Sequence, residues 1–278
     1  IVAGQVAGGV AAVVRDLPVV STPARRWRSS LLDHRRGPLD HLRLARRGWM
    51  GGWAAMSSDP VVRAEIVVDL AAVRANVRAL AAHTRTPLMV VVKADAYGHG
   101  LLPVARAARA AGASWLGAAT LEEALALRGA GDTGRILTWL FVPGEERLTD
   151  AVAAGIDVTA HSAEGLDAVA EAVRRSGTPA RLQLKIDTGL SRNGCAPEDW
   201  AGLVERARDG ERAGTWRVTG VWSHLACSDE PEHPANAAQL AAFEDALAVA
   251  SEHGLAPEGR HLANSAAAII SPETRFDL

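Results

Sequence analysis

From residue 88 onward, short apolar runs alternate with stretches in which apolar residues recur every three or four positions. The first pattern marks strands buried on both faces, and the second marks helices with one buried stripe. Residues 88–92 are unbroken apolar and predict a strand. A helix follows over 101–111, a strand over 115–119, and a helix opened by Thr120-Leu121-Glu122-Glu123, a cap-and-acid start. The alternation continues as strand 135–141, helix 146–154, strand 157–160, and helix 163–175 ended by Gly177 and Pro179. Then come strand 181–187, helix 197–207, strand 217–225, helix 235–253, strand 259–264, and a helical segment opened by Ser265.

Upstream, residues 64–70 alternate loosely and predict a short strand. Asp69 is placed to cap a helix carrying Val73, Val77 and Leu80. Counting from Leu88, seven strand–helix units fit a parallel α/β fold. The count points to a (β/α)8 TIM-type barrel with about seven of its eight units present. A doubly wound sheet would also alternate. However, the first unit has no G-x-G-x-x-G loop, and the chemically interesting residues fall at the ends of several strands.

Composition adds limits. The chain has 278 residues, 48% of them hydrophobic, and a formal net charge of −2. Such a balance suits one large soluble domain, or a domain with extensions, and gives no electrostatic case for nucleic acid. No apolar run reaches the length of about 18 residues needed to span a membrane. The cysteines Cys195 and Cys227 form neither a disulfide framework nor a metal-ligand cluster, and both read as free core thiols of a cytoplasmic protein. Residues 1–55 differ in texture, with nine arginines and three aspartates but no lysine or glutamate. They read as an Arg- and Gly-rich extension, disordered or non-native, with Met56 as the natural start. A basic interaction arm is the other reading.

Lysine use is the sharpest chemical signal. Lys93 and Lys185 are the two lysines in the chain, and Tyr97 is the single tyrosine. Charge is otherwise carried by arginine, which cannot shed its proton to become an amine nucleophile, whereas a desolvated lysine can. Lys93 stands at a strand end before Gly98 and Gly100, which permit close backbone approach to a ligand. A salt-bridged or snorkelling lysine is the plainer alternative. Lys185 and Asp187 alternate with Leu184 and Ile186, so they share a strand face, and a buried ion pair between them would explain both. His224 follows a buried strand on the same rim. Asn264-Ser265 precede an alanine-rich helical run, where they serve either as a plain N-cap or as part of a phosphate-binding helix start.

Four segments resemble the alanine racemase family, in that family's order. They are Val92-Lys93-Ala94-Asp95-Ala96-Tyr97-Gly98-His99-Gly100, Lys185-Ile186-Asp187-Thr188-Gly189-Leu190-Ser191-Arg192, Ser223-His224, and Ala263-Asn264-Ser265-Ala266. The resemblance covers residues 64–278. Trp139, Trp222 and residues 226–231 look most like actinobacterial members. The resemblance implies that Lys93 holds pyridoxal 5′-phosphate (PLP) as a Schiff base and that Tyr97 bonds the cofactor phosphate. It implies that Arg192 contacts the cofactor's phenolic oxygen and the substrate, supported by Lys185, which is carbamylated in some members. His224 would lie against the pyridine ring, with Asn264 and Ser265 in the cofactor pocket and no metal.

The same resemblance implies interconversion of L- and D-alanine for peptidoglycan, in a homodimer. Family members continue beyond residue 278 with an eighth strand and a separate β-domain. That domain supplies a catalytic tyrosine to the partner's site, so residues 56–278 read as an incomplete PLP-binding barrel without the second base. Rival readings are a single-barrel PLP-binding homeostasis protein, a broad-specificity amino-acid racemase, a Schiff-base aldolase without PLP, and a barrel without a cofactor.

Overall fold

The computed structural model describes residues 67–278. The expectations for residues 1–55, and most of the strand expected over 64–70, lie outside the described residues. Within them, Val67–Asp69 form no strand and Leu70 already begins a helix.

That helix, α1 (Leu70–Thr84), leads into β1 (Met89–Val91), α2 (Leu101–Ala110), β2 (Trp115–Thr120) and α3 (Leu121–Gly129). There follow β3 (Arg135–Leu140), α4 (Arg147–Ala153), β4 (Asp157–Ala160), α5 (Ala163–Ser176), β5 (Ala180–Lys185) and α6 (Pro197–Arg212). The order ends with β6 (Trp216–Trp222), α7 (Pro234–Glu252), β7 (Gly259–His261), α8 (Ser265–Ile270) and a 3-10 turn at Pro272–Thr274. The seven strands form one sheet in the order β1-β2-β3-β4-β5-β6-β7, and every pair is parallel. A doubly wound sheet would reverse its order part-way. This sheet never does, and it is the curled wall of an incomplete barrel with helices outside.

Local chemistry explains the elements. Thr120 and Glu123 form a reciprocal capping box at the start of α3, and Ser162 Oγ accepts from Gly165 N at 3.1 Å to start α5. Gly177 ends α5 in the left-handed conformation, and Pro197 and Pro234 stand in the first turns of α6 and α7. All four residues of β4 are buried, as expected of a strand covered on both faces. In β1, Met89 and Val91 are only partly buried, against the expectation for residues 88–92, because among the described strands β1 pairs with β2 alone. Trp200 Nε1 donates to Ala246 O at 2.9 Å, tying α6 to α7. His83 of α1 hydrogen-bonds the Ile269 carbonyl of α8 at 2.8 Å, so the first and last helices of the layer meet.

The N-terminal strand ends are closed by charge. Asp157, fully buried, accepts from Arg135 Nε and Nη2, from Arg181 Nε and from Thr219 Oγ1. Glu258 neutralises the outer side, pairing with Arg135 at 2.8 Å and Arg217 at 3.0 Å. The opposite, C-terminal strand ends are left for the chemistry.

Candidate active site

Lys93 stands two residues past β1, and the ladder continues one step past the strand through Val92 N to Gly117 O at 2.8 Å. The chain does not then enter an ordinary helix. Ala94, Asp95, Ala96 and Tyr97 have φ of 53°, 54°, 52° and 56°, a full left-handed turn built from residues with side chains. Such a turn costs about 1–2 kcal/mol per residue. Hydrogen bonds offset part of that: Ala94 N donates to Glu123 Oε1 at 2.6 Å, Leu101 N to Asp95 Oδ1 at 2.6 Å and Gly100 N to Asp95 O at 2.9 Å. The turn carries Tyr97 back beside its starting point, with Lys93 Nζ 5.7 Å from the phenol ring centre. Burial pushes the Tyr97 phenol pKa up.

Lys185 ends β5 with only 4% of its surface exposed. Its Nζ lies 4.4 Å from the centre of the Trp222 ring. Burial, reinforced by Arg192 and by Lys93 and opposed by Asp187, lowers its pKa to about 8. The buried Lys185–Asp187 ion pair is not formed. Asp187 instead turns its Oδ1 to the Gly189 and Ser191 amides, at 2.9 and 3.0 Å. The loop bearing Arg192 is pinned at both ends, because Cys195 N donates to Lys185 O at 2.8 Å and Asp187 N to Cys195 O at 2.9 Å. Gly194 makes this possible. Its φ is 138°, and a Cβ there would stand 2.5 Å from Asp187 N.

After β6, Ser223 Oγ donates to Ile186 O at 2.8 Å. Gln239 of α7 then binds Thr188 Oγ1, His224 O and Ala226 N, stapling the loops after β5 and β6 together. His224 is held neutral, with its pKa pushed down to about 4 by burial and by the charges of Arg192, Lys185 and Lys93. One imidazole thus feels all three cations. Behind it, His261 of β7 stacks on Trp222 at 5.3 Å and bonds Gln183 Oε1 at 2.8 Å, where the missing side chain of Gly220 makes room for Gln183. Burial, His224 and Lys185 lower the His261 pKa to about 3. After β7, Asn264 Oδ1 accepts from Ala267 N at 3.2 Å and from Ser228 Oγ at 2.7 Å, the plain N-cap of α8. Ser265, next to it, is exposed.

The expected residues therefore share one rim: Lys93 and Tyr97 after β1, Lys185 and Arg192 after β5, His224 after β6, and Asn264 and Ser265 after β7. Cys227, expected in the core, is only half-buried because it lies on the loop beyond β6; both thiols are free. Sequence reasoning passed over Glu123, read as a helix-start acid, and over His161, whose buried Nδ1 has no hydrogen-bond partner. Among the described residues no ion pair involves Lys93, Lys185 or Arg192, and no cluster of side chains suits a metal ion. A nucleophile-type amine beside cations without ion-pair partners among the described residues and an unpartnered histidine nitrogen suits an anionic carbonyl compound.

Fold and rim together define a parallel α/β-barrel protein with its polar chemistry at the C-terminal strand ends. Residues 68–278 match the family described as "Alanine racemase, N-terminal domain", and the chain belongs to that family. It is 53% identical over 233 residues to the alanine racemase of Streptomyces coelicolor, covering 81% of this chain and 59% of that one. It is 44% identical over 220 residues to that of Mycolicibacterium smegmatis, covering 79% and 56%. The crystal structure of alanine racemase from Streptomyces lavendulae superposes with a TM-score of 0.74 at 57% identity, covering 75% of this chain and 55% of that one. The Corynebacterium glutamicum enzyme gives 0.68 at 35% identity, with 75% and 58% covered. The chain spans a little over half the length of the relatives it matches. The family is PLP-dependent, and the rim's cations, free of ion pairs among the described residues, fit an aldehyde that carries a phosphate.

Proposed function

We propose that this chain is the cofactor-binding barrel of an alanine racemase, which interconverts L- and D-alanine in the cytoplasm as a homodimer and supplies D-alanine to peptidoglycan. The observation that carries the reading is Lys93, an amine set by a left-handed turn at the end of β1 and sharing its rim with Lys185, Arg192 and His224. Lys93 would hold PLP covalently through Nζ, with Tyr97, Asn264 and Ser265 on its phosphate side and Arg192 and His224 against its ring side. When bound, PLP supplies an electron sink for the pair of electrons left by loss of a substrate α-proton.

The chain's own groups do the rest. Lys93 Nζ would take or return the α-proton on one face of the substrate. Arg192, exposed on its pinned loop, reaches the substrate carboxylate. His224, neutral, would stand against the ring without adding charge to it. The Lys185 carbonyl, through Cys195 N at 2.8 Å, tethers the loop that carries Arg192. Racemisation also needs a proton group on the opposite face. We assign that group to the part of the relatives' length that this chain does not span. The relatives cited above are named alanine racemases, which favours this reading over a homeostasis protein or a broad-specificity racemase.

The test is the absorbance of the full chain after incubation with PLP, beside Lys93→Ala. The expected result is an imine band that is lost in the variant and is trapped on Lys93 by borohydride. A folded wild-type chain with no band, or a band retained in Lys93→Ala, overturns the reading.

A further inference from the structure

Glu123 touches more of the site's backbone than its place in α3 requires. A capping-box glutamate needs only to reach back to the N-cap amide. Here Oε2 takes Thr120 N at 3.2 Å and also Ala119 N at 2.9 Å, while Oε1 crosses to the neighbouring strand's loop and takes Ala94 N at 2.6 Å. One half-buried carboxylate thus joins the end of β2 to the first amide of the left-handed turn. The Ala94 N–H belongs to the peptide plane immediately after Lys93. Fixing that plane fixes the rotation about the Lys93 Cα–C bond, and with it the direction in which the Lys93 side chain leaves the backbone. The same amide is the entry to four consecutive residues with φ between 52° and 56°, a conformation that side chains resist and that persists only where surroundings hold it. At the far end of the turn, Asp95 Oδ1 holds Leu101 N, so the turn is gripped at entry and exit. Carboxylate acceptors make the stronger class of such bonds.

We propose that Glu123 is a positioning residue for Lys93: its carboxylate selects the left-handed turn and so aims the amine. The inference rests on the reading of Lys93 as the cofactor amine, and its first test does not depend on the cofactor. Glu123→Gln keeps the size of the side chain but places an NH2 group among three backbone donors. Thr120→Ala is the control, since it removes the other half of the capping box and leaves the Ala94 contact intact.

In the apo chain, amide hydrogen exchange of residues 94–98 should speed up at least tenfold in Glu123→Gln and stay within twofold of wild type in Thr120→Ala. In the PLP titration, Glu123→Gln should weaken imine formation about tenfold with Tyr97 unaltered, Thr120→Ala less than twofold, and Glu123→Asp should fall between them. Equal exchange in the two variants, or weakening of the imine in proportion to the melting temperature in both, overturns the proposal. If the wild-type chain forms no imine while the exchange result holds, the cofactor reading fails and the role of Glu123 in holding the turn stands.

Discussion

Two neutral histidines beneath a rim of cations should make this barrel labile to mild acid. His224 and His261 have pKa values lowered to about 4 and about 3, by burial first and then by the surrounding positive groups. In the unfolded chain each would titrate near 6.5. Between those limits the unfolded state binds protons that the folded state refuses, so stability is fully present above pH about 6.5 and falls as pH drops toward the folded values. At pH 5 each histidine contributes a loss of about 2 kcal/mol, because each pKa unit is worth about 1.4 kcal/mol. The pair together lose about 4 kcal/mol. His161, lowered by burial and by Lys185, adds in the same direction. The carboxylates Glu258 and Asp277, held low by hydrogen bonds from Arg135 and Arg260, lose their contributions only below about pH 4.5, so the two windows are separable. For a folded unit of this size, 4 kcal/mol corresponds to a fall of about 8–16 °C in melting temperature. Thermal melts at pH 7.5, 6.0 and 5.0, with histidine ring protons followed by NMR, read both quantities. The His224→Asn, His261→Asn double variant should flatten the dependence between pH 6.5 and 5. A folded-state titration of His224 near 6.5, or an unchanged slope in the double variant, refutes the reasoning.

Two further outcomes follow from the packing. Asp157→Ala removes the buried acceptor shared by Arg135, Arg181 and Thr219. Because both arginines are about one-third exposed and keep Glu258, the loss should be about 3 kcal/mol, at the low end for a broken buried pair, read by urea unfolding. Gly194→Ala places a Cβ 2.5 Å from Asp187 N at a φ of 138°. It should cost about 2–4 kcal/mol and weaken PLP binding by moving the Arg192 loop, read by thermal melt beside the absorbance titration.

The alternation of apolar runs with amphipathic stretches carried most of the architecture: seven strands were expected and seven pair in order, with the 157–160 boundaries reproduced and the Thr120 cap in place. That succeeded because parallel strands under helices are read by burial, which apolar runs report directly. The strand ends were less legible. The expected 217–225 strand stops at Trp222: Ser223 N still donates to His261 O of β7 at 3.1 Å, but the Ser223 hydroxyl turns to Ile186 O and the His224 carbonyl to Gln239. The site's residue types were visible because lysine and tyrosine are so scarce in the chain. Its backbone was not. Nothing in Ala94-Asp95-Ala96-Tyr97 announces four left-handed residues, because the bonds that hold them come from Glu123, a residue remote in sequence, and from Asp95 folding back on Leu101. The competing Lys185–Asp187 pair was undecidable for the same reason: the Asp187 carboxylate is claimed by amides of its own loop.

Strands that neighbour each other strictly in sequence order have a consequence for synthesis on the ribosome. Each strand from β2 onward meets a partner that has already emerged, so the wall can lengthen vectorially without waiting for distant chain. Lys93 and the Glu123 that grips its turn leave early, whereas His224 emerges 131 residues after Lys93. At translation rates of about 5–20 residues per second, that interval is on the order of ten seconds. Lys93 and its left-handed turn therefore stand on a nascent chain before the His224 side of the rim exists.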